Sequence, residues 1–336
     1  MQFTPKCHAP SLHNFFHFMT SRLTLPTDMV LGTTYLCNSR CTMCDIWKKP
    51  THPDDELTLD DLRKLPSSLK DINISGGEPF LRADLTEIVR VLKEQCPSAR
   101  LLITTNGFLT DLIEKRMREI LAIAPEIAVR ISVDGVGDMH EKIRRIPQAF
   151  EKDMETLRCL KELGVRDLGL AFTATPENVT HLSKVYDLTQ KLEVEFTCAV
   201  AQSSEFYFSK MNNERPEPIT LAREFRHVIR KELSTWSVKR WLRAYFAYGL
   251  MTFSTTGRPV LPTAPAHDFF YLDPTGFVYP SVVDNIVLGN LKKVARFHDL
   301  WFSPQATSAR EKLAEQQQAA WMICTARTAM RENPFR

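Results

Sequence analysis

The sequence lacks any strong imbalance of charge. Its 43 Lys and Arg residues nearly offset 40 Asp and Glu residues, so the formal net charge of the 336-residue chain is only +3. A nucleic-acid-binding domain needs basic residues concentrated on one face. The sequence gives no support for such a face, and we expect no nucleic-acid partner.

Long apolar runs are also missing. No run approaches the roughly 18 residues that a membrane-spanning helix needs, and the opening segment Met1–Lys6 lacks the charged, apolar, small-residue order of a signal peptide. We expect no membrane span and a cytoplasmic location. In that reducing compartment, clustered thiols are metal ligands more often than disulfide partners.

Three of the eight cysteines lie within eight residues: Cys37, Cys41 and Cys44. Thiolates are soft ligands for iron, and three of them can hold three corners of a [4Fe–4S] cube, which leaves the fourth iron open. Two alternatives are unrelated thiols and part of a zinc site. A zinc site needs a fourth Cys or His nearby, and His52 is the nearest candidate. The spacing favours the cluster.

Strand and helix patterns alternate from residue 29 to residue 200. Strands are predicted near residues 30, 72, 102, 130, 170 and 197, each followed by a helical pattern. Such alternation indicates right-handed crossovers and a parallel sheet, while six units are too few for a closed eight-fold barrel. The expected fold class is α/β, a partial (β/α)6 TIM-like barrel. Its ligands should lie at the carboxyl ends of the strands.

Several local signals refine this prediction. Thr58 with Asp61, and Asp84 with Glu87, are placed as helix capping boxes. Residues 219–252 and 306–330 look helical, and a β-hairpin is predicted around the turn Asp273–Gly276. Residues 1–27 are expected to form a short amphipathic helical segment.

The second strand runs into Gly76-Gly77-Glu78-Pro79. Glycines let the backbone approach a ligand closely, and the turn offers carbonyls and a carboxylate to a cationic amino group. Alone this is a weak signal for a tight turn. Together with the three cysteines it resembles the radical S-adenosylmethionine (SAM) enzymes, and the resemblance covers most of the chain.

That resemblance implies the same partial barrel and an open iron that chelates the amino and carboxylate groups of SAM. One electron from the cluster would cleave a carbon–sulfur bond and leave a 5′-deoxyadenosyl radical. The cofactor supplies this chemistry and the protein supplies orientation. The resemblance also places Met43 near the adenine.

Polar residues end the third and fourth strands and are candidate SAM contacts: Asn106, Ser132 and Asp134. The resemblance favours Ser132, whereas Asp134 equally suits a turn. Arg144 resembles the family arginine that pairs with the SAM carboxylate, a task that a bidentate guanidinium suits. Arg145 equally suits a solvated basic face.

Candidate substrate residues follow the sixth strand. Cys198 could return a hydrogen atom to a substrate radical, although a small buried residue is the commoner role. Glu205, Tyr207 and Lys210 lie in a loop and are candidate substrate contacts. A folded aromatic lid is the alternative for this loop.

The C-terminal part resembles the SPASM/twitch extension of radical SAM enzymes, on Tyr271–Ser281 and Leu288–Leu291. Cysteines would be expected where Thr263, Ser281 and Ala320 stand, and only Cys324 remains. One thiol cannot hold a [4Fe–4S] cube. We therefore expect a structural remnant without an auxiliary cluster, in a chain divided into residues 1–27, a barrel over 28–215 and an extension over 216–336.

Without an auxiliary cluster, a two-electron oxidation lacks an evident internal acceptor. The leading hypothesis is therefore a radical SAM enzyme with one [4Fe–4S] cluster that abstracts a hydrogen atom from a small, sugar- or nucleotide-like substrate. The reaction would be redox-neutral: epimerisation, dehydration, rearrangement or decarboxylation. An external one-electron donor of flavodoxin or ferredoxin type is implied. The alternatives are a peptide-modifying (RiPP maturase) enzyme and a non-catalytic iron–sulfur scaffold.

Overall fold

A computed structural model describes residues 23–263, 265–316 and 321–333. The helical segment predicted for residues 1–27 lies mostly outside these residues, and residues 23–27 are not helical. No helix of the described ranges is both long and apolar enough to cross a bilayer.

Six parallel strands form the centre of one open sheet, and their order in the sheet follows their order in the chain. They are β1 (Asp28–Gly32), β2 (Asp71–Ser75), β3 (Arg100–Thr105), β4 (Ala128–Ser132), β5 (Asp167–Ala174) and β6 (Glu195–Val200). This arrangement confirms the partial TIM-like barrel. Because all six strands run the same way, their carboxyl ends share one edge of the sheet.

Helices cover the outer face of these strands. They are α1 (Leu59–Leu62), α2 (Leu85–Gln95), α3 (Thr110–Ile123), α4 (Asp138–Arg144), α5 (Ala149–Glu162) and α6 (Leu182–Lys191). In α2 the apolar residues Leu85, Ile88, Val89 and Leu92 recur at helical spacing and are all buried. This spacing explains why the segment folds as a helix against the sheet.

One of the two predicted capping boxes is present. Thr58 and Asp61 bond reciprocally at the start of α1. The box predicted for α2 is wrong, because the carboxylate of Asp84 makes no cap and instead accepts from the Arg82 guanidinium at 2.8 Å. An ion pair with a neighbouring arginine outcompetes the cap here.

The C-terminal strands continue the same sheet rather than forming a separate one. β7 (Phe269–Leu272) lies parallel to β1, and β8 (Phe277–Tyr279) and β9 (Gly289–Asn290) follow antiparallel. The predicted hairpin over Asp273–Gly276 is confirmed. The division at residue 215 stays a prediction.

Each predicted C-terminal helical region consists of two helices. Residues 219–252 correspond to α7 (Pro218–Leu233) and α8 (Val238–Thr256), with a break at residues 234–237. The final region holds α10 (Pro304–Gln316) and α11 (Ile323–Glu332), preceded by α9 (Phe297–Trp301). The indole of Trp321 donates to the Phe246 carbonyl oxygen at 3.1 Å and so joins the last segment to α8.

Charged residues line the amino ends of the strands. Arg130 pairs with Asp167 at 2.7 Å, Arg331 pairs with Asp28 at 2.7 Å, and Arg327 pairs with Asp71. Helix α11 thus reaches across the end of the barrel opposite the predicted ligand sites. The ion pairs of Arg327 and Arg331 fasten the C-terminal helix to the first two strands.

A substitution at Gly249 tests how closely α8 packs on the last segment, which contains Trp321. A Cβ atom at this position would lie 2.3 Å from a ring carbon of the buried Trp321. We expect Gly249→Ala to destabilise the fold by about 1–3 kcal/mol through overpacking, although helix propensity alone favours Ala by about 1 kcal/mol.

Thermal denaturation followed by circular dichroism measures the effect. Thr252→Ala, one turn along the same helix, serves as the control and should change the midpoint little. A midpoint for Gly249→Ala at or above that of the wild type would contradict the packing described for α8.

Candidate functional site

The predicted site residues converge on one cavity of about 290 Å³ inside the barrel. Those that border it are Cys37, Cys41, Met43, Cys44, Gly76, Gly77, Asn106, Ser132, Arg144, Cys198 and Tyr207. Five other predicted residues do not border it: Glu78, Pro79, Asp134, Glu205 and Lys210. The sharing of one cavity follows from the common direction of β1 to β6.

The cysteine loop follows β1 and is held by its own backbone and by α4. The Ser39 amide donates to the Cys37 sulfur at 3.4 Å, and the Ser39 hydroxyl lies 3.0 Å from the Cys41 sulfur. The Thr42 amide donates to the Ile143 carbonyl at 2.9 Å. These contacts direct three thiols toward the cavity.

Burial raises the pKa of the Cys37 and Cys44 thiols to about 12. A bound metal reverses this tendency, because ligation deprotonates a thiol. Among the described residues, no three His, Cys, Asp or Glu side chains are arranged to hold a single metal ion. A cube accepts one thiolate at each of three separate irons, and the assignment of the three thiols to a [4Fe–4S] cluster stays a prediction.

The Gly76-Gly77 turn packs directly on the chain that enters the cysteine loop. The Gly77 amide donates to the Thr34 carbonyl at 2.7 Å, and the Glu78 amide donates to the Leu36 carbonyl at 2.8 Å. A Cβ atom on Gly77 would lie only 2.1 Å from the Leu36 oxygen, and Gly76 has φ +132°. Only glycine fits both positions, so the turn and the cysteine loop are fixed as one unit.

Glu78 faces away from the cavity. Its carboxylate accepts from the Thr105 hydroxyl at 2.8 Å, the Asn106 amide at 2.7 Å and the Phe80 amide at 3.2 Å. Burial raises its pKa to about 7, although these hydrogen bonds act in the opposite direction. Glu78 therefore ties the end of β2 to the end of β3, and the buried Pro79 begins the short 3₁₀ turn behind it.

Arg144 borders the cavity from the end of α4. One guanidinium nitrogen lies 3.5 Å from the Cys41 sulfur and another pairs with Asp134 at 2.7 Å. The Arg144 carbonyl accepts from the Ser39 hydroxyl and from the Arg40 amide, both at 3.3 Å. Arg145, by contrast, is exposed.

Asp134 is fully buried behind Arg144 and does not reach the cavity. It accepts from the Thr173 amide at 2.8 Å, and its own amide donates to His140 Nδ1 at 2.8 Å. His140 Nε2 therefore carries the proton and faces the Asp153 carboxylate at 2.9 Å. The placement argues against a direct SAM contact by Asp134 and gives it the role of positioning Arg144.

The remaining predicted SAM contacts lie at the cavity. Asn106 donates from its side-chain amide to Asn38 at 2.6 Å, which links β3 to the cysteine loop. Ser132 ends β4 and is half-buried. Met43 packs with Cys41, Ile143 and Ala201. These contacts stay predictions of SAM binding.

The structure places the predicted substrate residues in different surroundings. Cys198 borders the cavity, but its side chain alternates with Thr197 and Ala199 and belongs to the core between sheet and helices. Its strand neighbour Phe196 packs edge-on against Tyr186 of α6 on that helix-facing side. This position on the helix-facing side of β6 argues against a Cys198 thiol that points at the substrate.

The loop after β6 is an aromatic cover that holds the cysteine loop. Phe206 stacks on Tyr279 with ring centroids 3.8 Å apart, and the Asp45 amide donates to the Phe208 carbonyl at 2.7 Å. Tyr207 reaches the cavity, where its hydroxyl lies 3.2 Å from the Ser75 hydroxyl. Glu205 is exposed, and the Lys210 ammonium bonds the Thr42 carbonyl.

Other cavity residues were missed from the sequence. The interior is lined by Asn73, Thr104, Thr197, Asp28, Asp71 and Arg327. A signal was present, because Asp71, Asn73 and Ser75 alternate with Ile72 and Ile74 along β2, and this period of two marks an inward polar face.

The extension holds no thiol at two of the three expected ligand positions. The Ser281 hydroxyl donates to Asp284 at 2.5 Å, and Thr263 carries a buried hydroxyl. Ala320 lies outside the described residues, and Cys324 belongs to α11. Serine and threonine hydroxyls do not replace thiolates as iron–sulfur ligands.

Comparison with known proteins gives one family match and several relatives. Residues 31–188 match the model of the Radical SAM superfamily. Fe-coproporphyrin III synthase of Methanosarcina barkeri is 30% identical over 193 residues, which cover 55% of this chain and 46% of that protein. AdoMet-dependent heme synthase of the same organism is 22% identical over 291 residues, 79% of each chain. The chain thus spans less than half of the first relative's length.

A solved structure shows the same fold. Streptococcus suis SuiB bound to S-adenosylmethionine superposes with a TM-score of 0.65 at 16% identity, over 89% of this chain and 71% of that one. The match extends beyond residues 31–188, so the shared fold includes C-terminal elements.

The Asp134–Arg144 pair yields a prediction for the SAM site. Asp134→Asn keeps the shape of the side chain but removes the charge that orients Arg144. Loss of a charge-assisted hydrogen bond costs about 1.5–3 kcal/mol, so we expect the Kd for SAM to rise about tenfold or more.

Equilibrium dialysis of reconstituted protein against labelled SAM measures this Kd. Asp138→Asn, an exposed acid at the start of the same helix, is the matched control and should leave the Kd unchanged. An unchanged Kd in Asp134→Asn would show that Arg144 does not need Asp134.

Proposed function

We propose that the chain, whose residues 31–188 match the Radical SAM superfamily model, is a radical SAM enzyme that abstracts a hydrogen atom from a small substrate in a redox-neutral reaction. The observation that carries the proposal is the convergence of three thiols, the Gly76-Gly77 turn and Arg144 on one cavity.

Radical SAM enzymes bind a [4Fe–4S] cluster and SAM. When bound, these groups supply the electron and the carbon–sulfur cleavage that yield a 5′-deoxyadenosyl radical. The thiols of Cys37, Cys41 and Cys44 would hold the cluster. The protein's further task is to orient SAM and to keep water away from the reacting atoms.

We assign orientation of SAM to the residues that border the cavity. The backbone of Gly76 and Gly77 would accept from the amino group, and the Arg144 guanidinium would bind the carboxylate. Asn106 and Ser132 would contact the ribose or the carboxylate, and Met43 would pack near the adenine. Glu78, Pro79 and Asp134 act indirectly, since each positions one of these groups.

The cavity lining supports a hydroxyl-bearing substrate. Asn73, Thr104, Ser132 and Thr197 offer hydroxyl and amide groups, and Thr104 donates to the Asn73 oxygen at 3.0 Å. Val30, Leu250 and Phe269 supply apolar surface at the same cavity. A polar wall facing an apolar one suits a sugar- or nucleotide-like molecule, and Tyr207 would be a further contact through its hydroxyl.

Two rival substrates remain as outcomes of experiment. The relatives named as heme synthases suggest a tetrapyrrole, and SuiB, described with precursor peptide SuiA, suggests a peptide. The cavity of about 290 Å³ must also receive the cluster and SAM, so the choice of a small substrate rests on the side chains that line the cavity.

The proposal of a redox-neutral reaction rests on the C-terminal extension, residues 216–336. Thr263 and Ser281 stand where auxiliary ligands would be expected, so a second internal electron acceptor lacks its protein ligands there. In a redox-neutral reaction the substrate radical regains a hydrogen atom or rearranges without net electron loss. We propose a one-electron donor of flavodoxin or ferredoxin type for the cluster itself, and we keep the cytoplasm as the predicted location.

Anaerobic reconstitution tests the proposal directly. We expect about four irons per chain, as a single cube requires, and 5′-deoxyadenosine after addition of dithionite and SAM. Cys41→Ala should lose the iron and the product. Cys159→Ala, a half-buried cysteine of α5 away from the cavity, should retain both.

Each contrary result would overturn a different part of the proposal. A cluster that forms but never cleaves SAM would support the scaffold alternative and overturn the enzymatic proposal. About eight irons per chain would reveal a second cube and overturn the redox-neutral assignment. Iron colorimetry and liquid chromatography with mass spectrometry supply the two readouts.

A further inference from the structure

The α7–α8 hairpin carries a surface that neither the barrel nor the SAM site explains. We define the α8 row as the apolar residues of this hairpin that face solvent: Leu233, Trp236, Val238, Trp241, Leu242 and Tyr248. Trp236 is 99% exposed at the tip between the helices. Large aromatic side chains are rarely left so exposed, and a contiguous apolar patch marks an interaction site.

The row has helical order. Trp241 and Leu242 follow Val238 by three and four positions, and Tyr248 follows Trp241 by seven, so these four residues share one side of α8. The other face of α8 packs into the core through Phe246, Leu250 and Phe253. Helix α8 therefore carries two apolar faces, and only one of them is used by the fold.

A basic row runs beside it on α7. Arg223, Arg226 and Arg230 recur on the exposed face of that helix, with Lys231 next to them. No ion pair joins Arg226, Arg230 or Lys231 to an acid in the described part of the chain. The exposed surface of the hairpin thus carries cationic side chains on α7 and apolar side chains on α8 and at the tip.

The acidic residues of α7 lie away from the apolar row and the basic row. Glu224 and Glu232 are buried, the first accepting from Ser183 at 2.5 Å and the second pairing with Arg240 at 2.9 Å. The exposed Glu217 caps the start of α7, at the opposite end from Trp236. The chain as a whole is nearly neutral, so this separation of charge is local to the hairpin.

We propose that the α7–α8 hairpin docks the protein on an anionic lipid surface. A protruding tip with tryptophan suits the interface between headgroups and acyl chains, where Trp and Tyr are enriched. Apolar residues beside Lys and Arg are the pattern of interfacial helices. The basic row would strengthen the attraction to anionic lipid.

Helix α8 connects the docking surface to the wall of the substrate cavity. Leu250, on the core-facing side of α8, borders that cavity and lies about 12 Å along the helix from Leu242, at 1.5 Å per residue. The inference concerns binding only and does not depend on the proposed reaction.

Vesicle co-sedimentation with the reconstituted 336-residue chain tests the proposal. We expect binding to vesicles of phosphatidylcholine mixed with phosphatidylglycerol, weak binding to phosphatidylcholine alone, and weakening by salt because charges at this surface are screened. Arg226→Glu with Arg230→Glu should reduce the partition coefficient by about tenfold or more, since two attractive charges become repulsive.

Trp236→Ala isolates the apolar contribution. It should reduce binding several-fold without a change in charge, and energy transfer from tryptophan to a dansyl-labelled lipid should fall with it. Lys115→Glu with Arg158→Glu, on exposed positions of α3 and α5, repeats the charge change elsewhere and should retain wild-type binding.

Three results would overturn the proposal. One is a failure of the wild-type chain to bind the anionic vesicles. Another is an equal loss in the control variant, which would indicate nonspecific electrostatics. The third is retention of vesicle binding by both hairpin variants while they lose binding to an acidic protein, which would identify the hairpin as a protein interface.

Discussion

The arrangement of the site depends on one residue, Arg144, whose side chain and backbone serve different neighbours. Its guanidinium pairs with the buried Asp134 and lies 3.5 Å from the Cys41 sulfur. Its carbonyl accepts from Ser39 within the cysteine loop. The cysteine loop, α4 and the end of β4 are thereby held in one position. A buried charge is tolerated only when it is paired, and Asp134, backed by His140 and Asp153, provides that pairing.

The second constraint is the close approach of two backbones. Gly77 leaves no space for a side chain beside Leu36, so the turn after β2 and the segment leading to Cys37 move as one unit. The extension adds to this from the other side, since β7 continues the sheet beside β1 and the stacked rings of Phe206 and Tyr279 cover the site. The C-terminal strands thus support the cysteine loop, and residues 216–336 carry one cysteine, Cys324.

Much of the fold and of the site was predictable because residues close together in the sequence encode it. The alternation of strand and helix predicted six parallel strands, and the shared direction of those strands predicted that Cys37, Gly76, Asn106 and Ser132 would meet. The side-chain directions of Glu78, Asp134 and Cys198 were not predictable from motif position. Glu78 and Asp134 turn away from the cavity because donors at the ends of neighbouring strands bind their carboxylates. The pairing of β7 with β1 joins residues about 240 positions apart, which no local pattern encodes.

The most direct test of the central claim, a single cluster site to which SAM binds beside Arg144, is electron paramagnetic resonance of the dithionite-reduced, reconstituted chain. We expect one signal from a reduced [4Fe–4S] cluster, and its shape should change when SAM is added because SAM binds the open iron. A signal that SAM leaves unchanged would contradict the account, and so would a second cluster signal beside it.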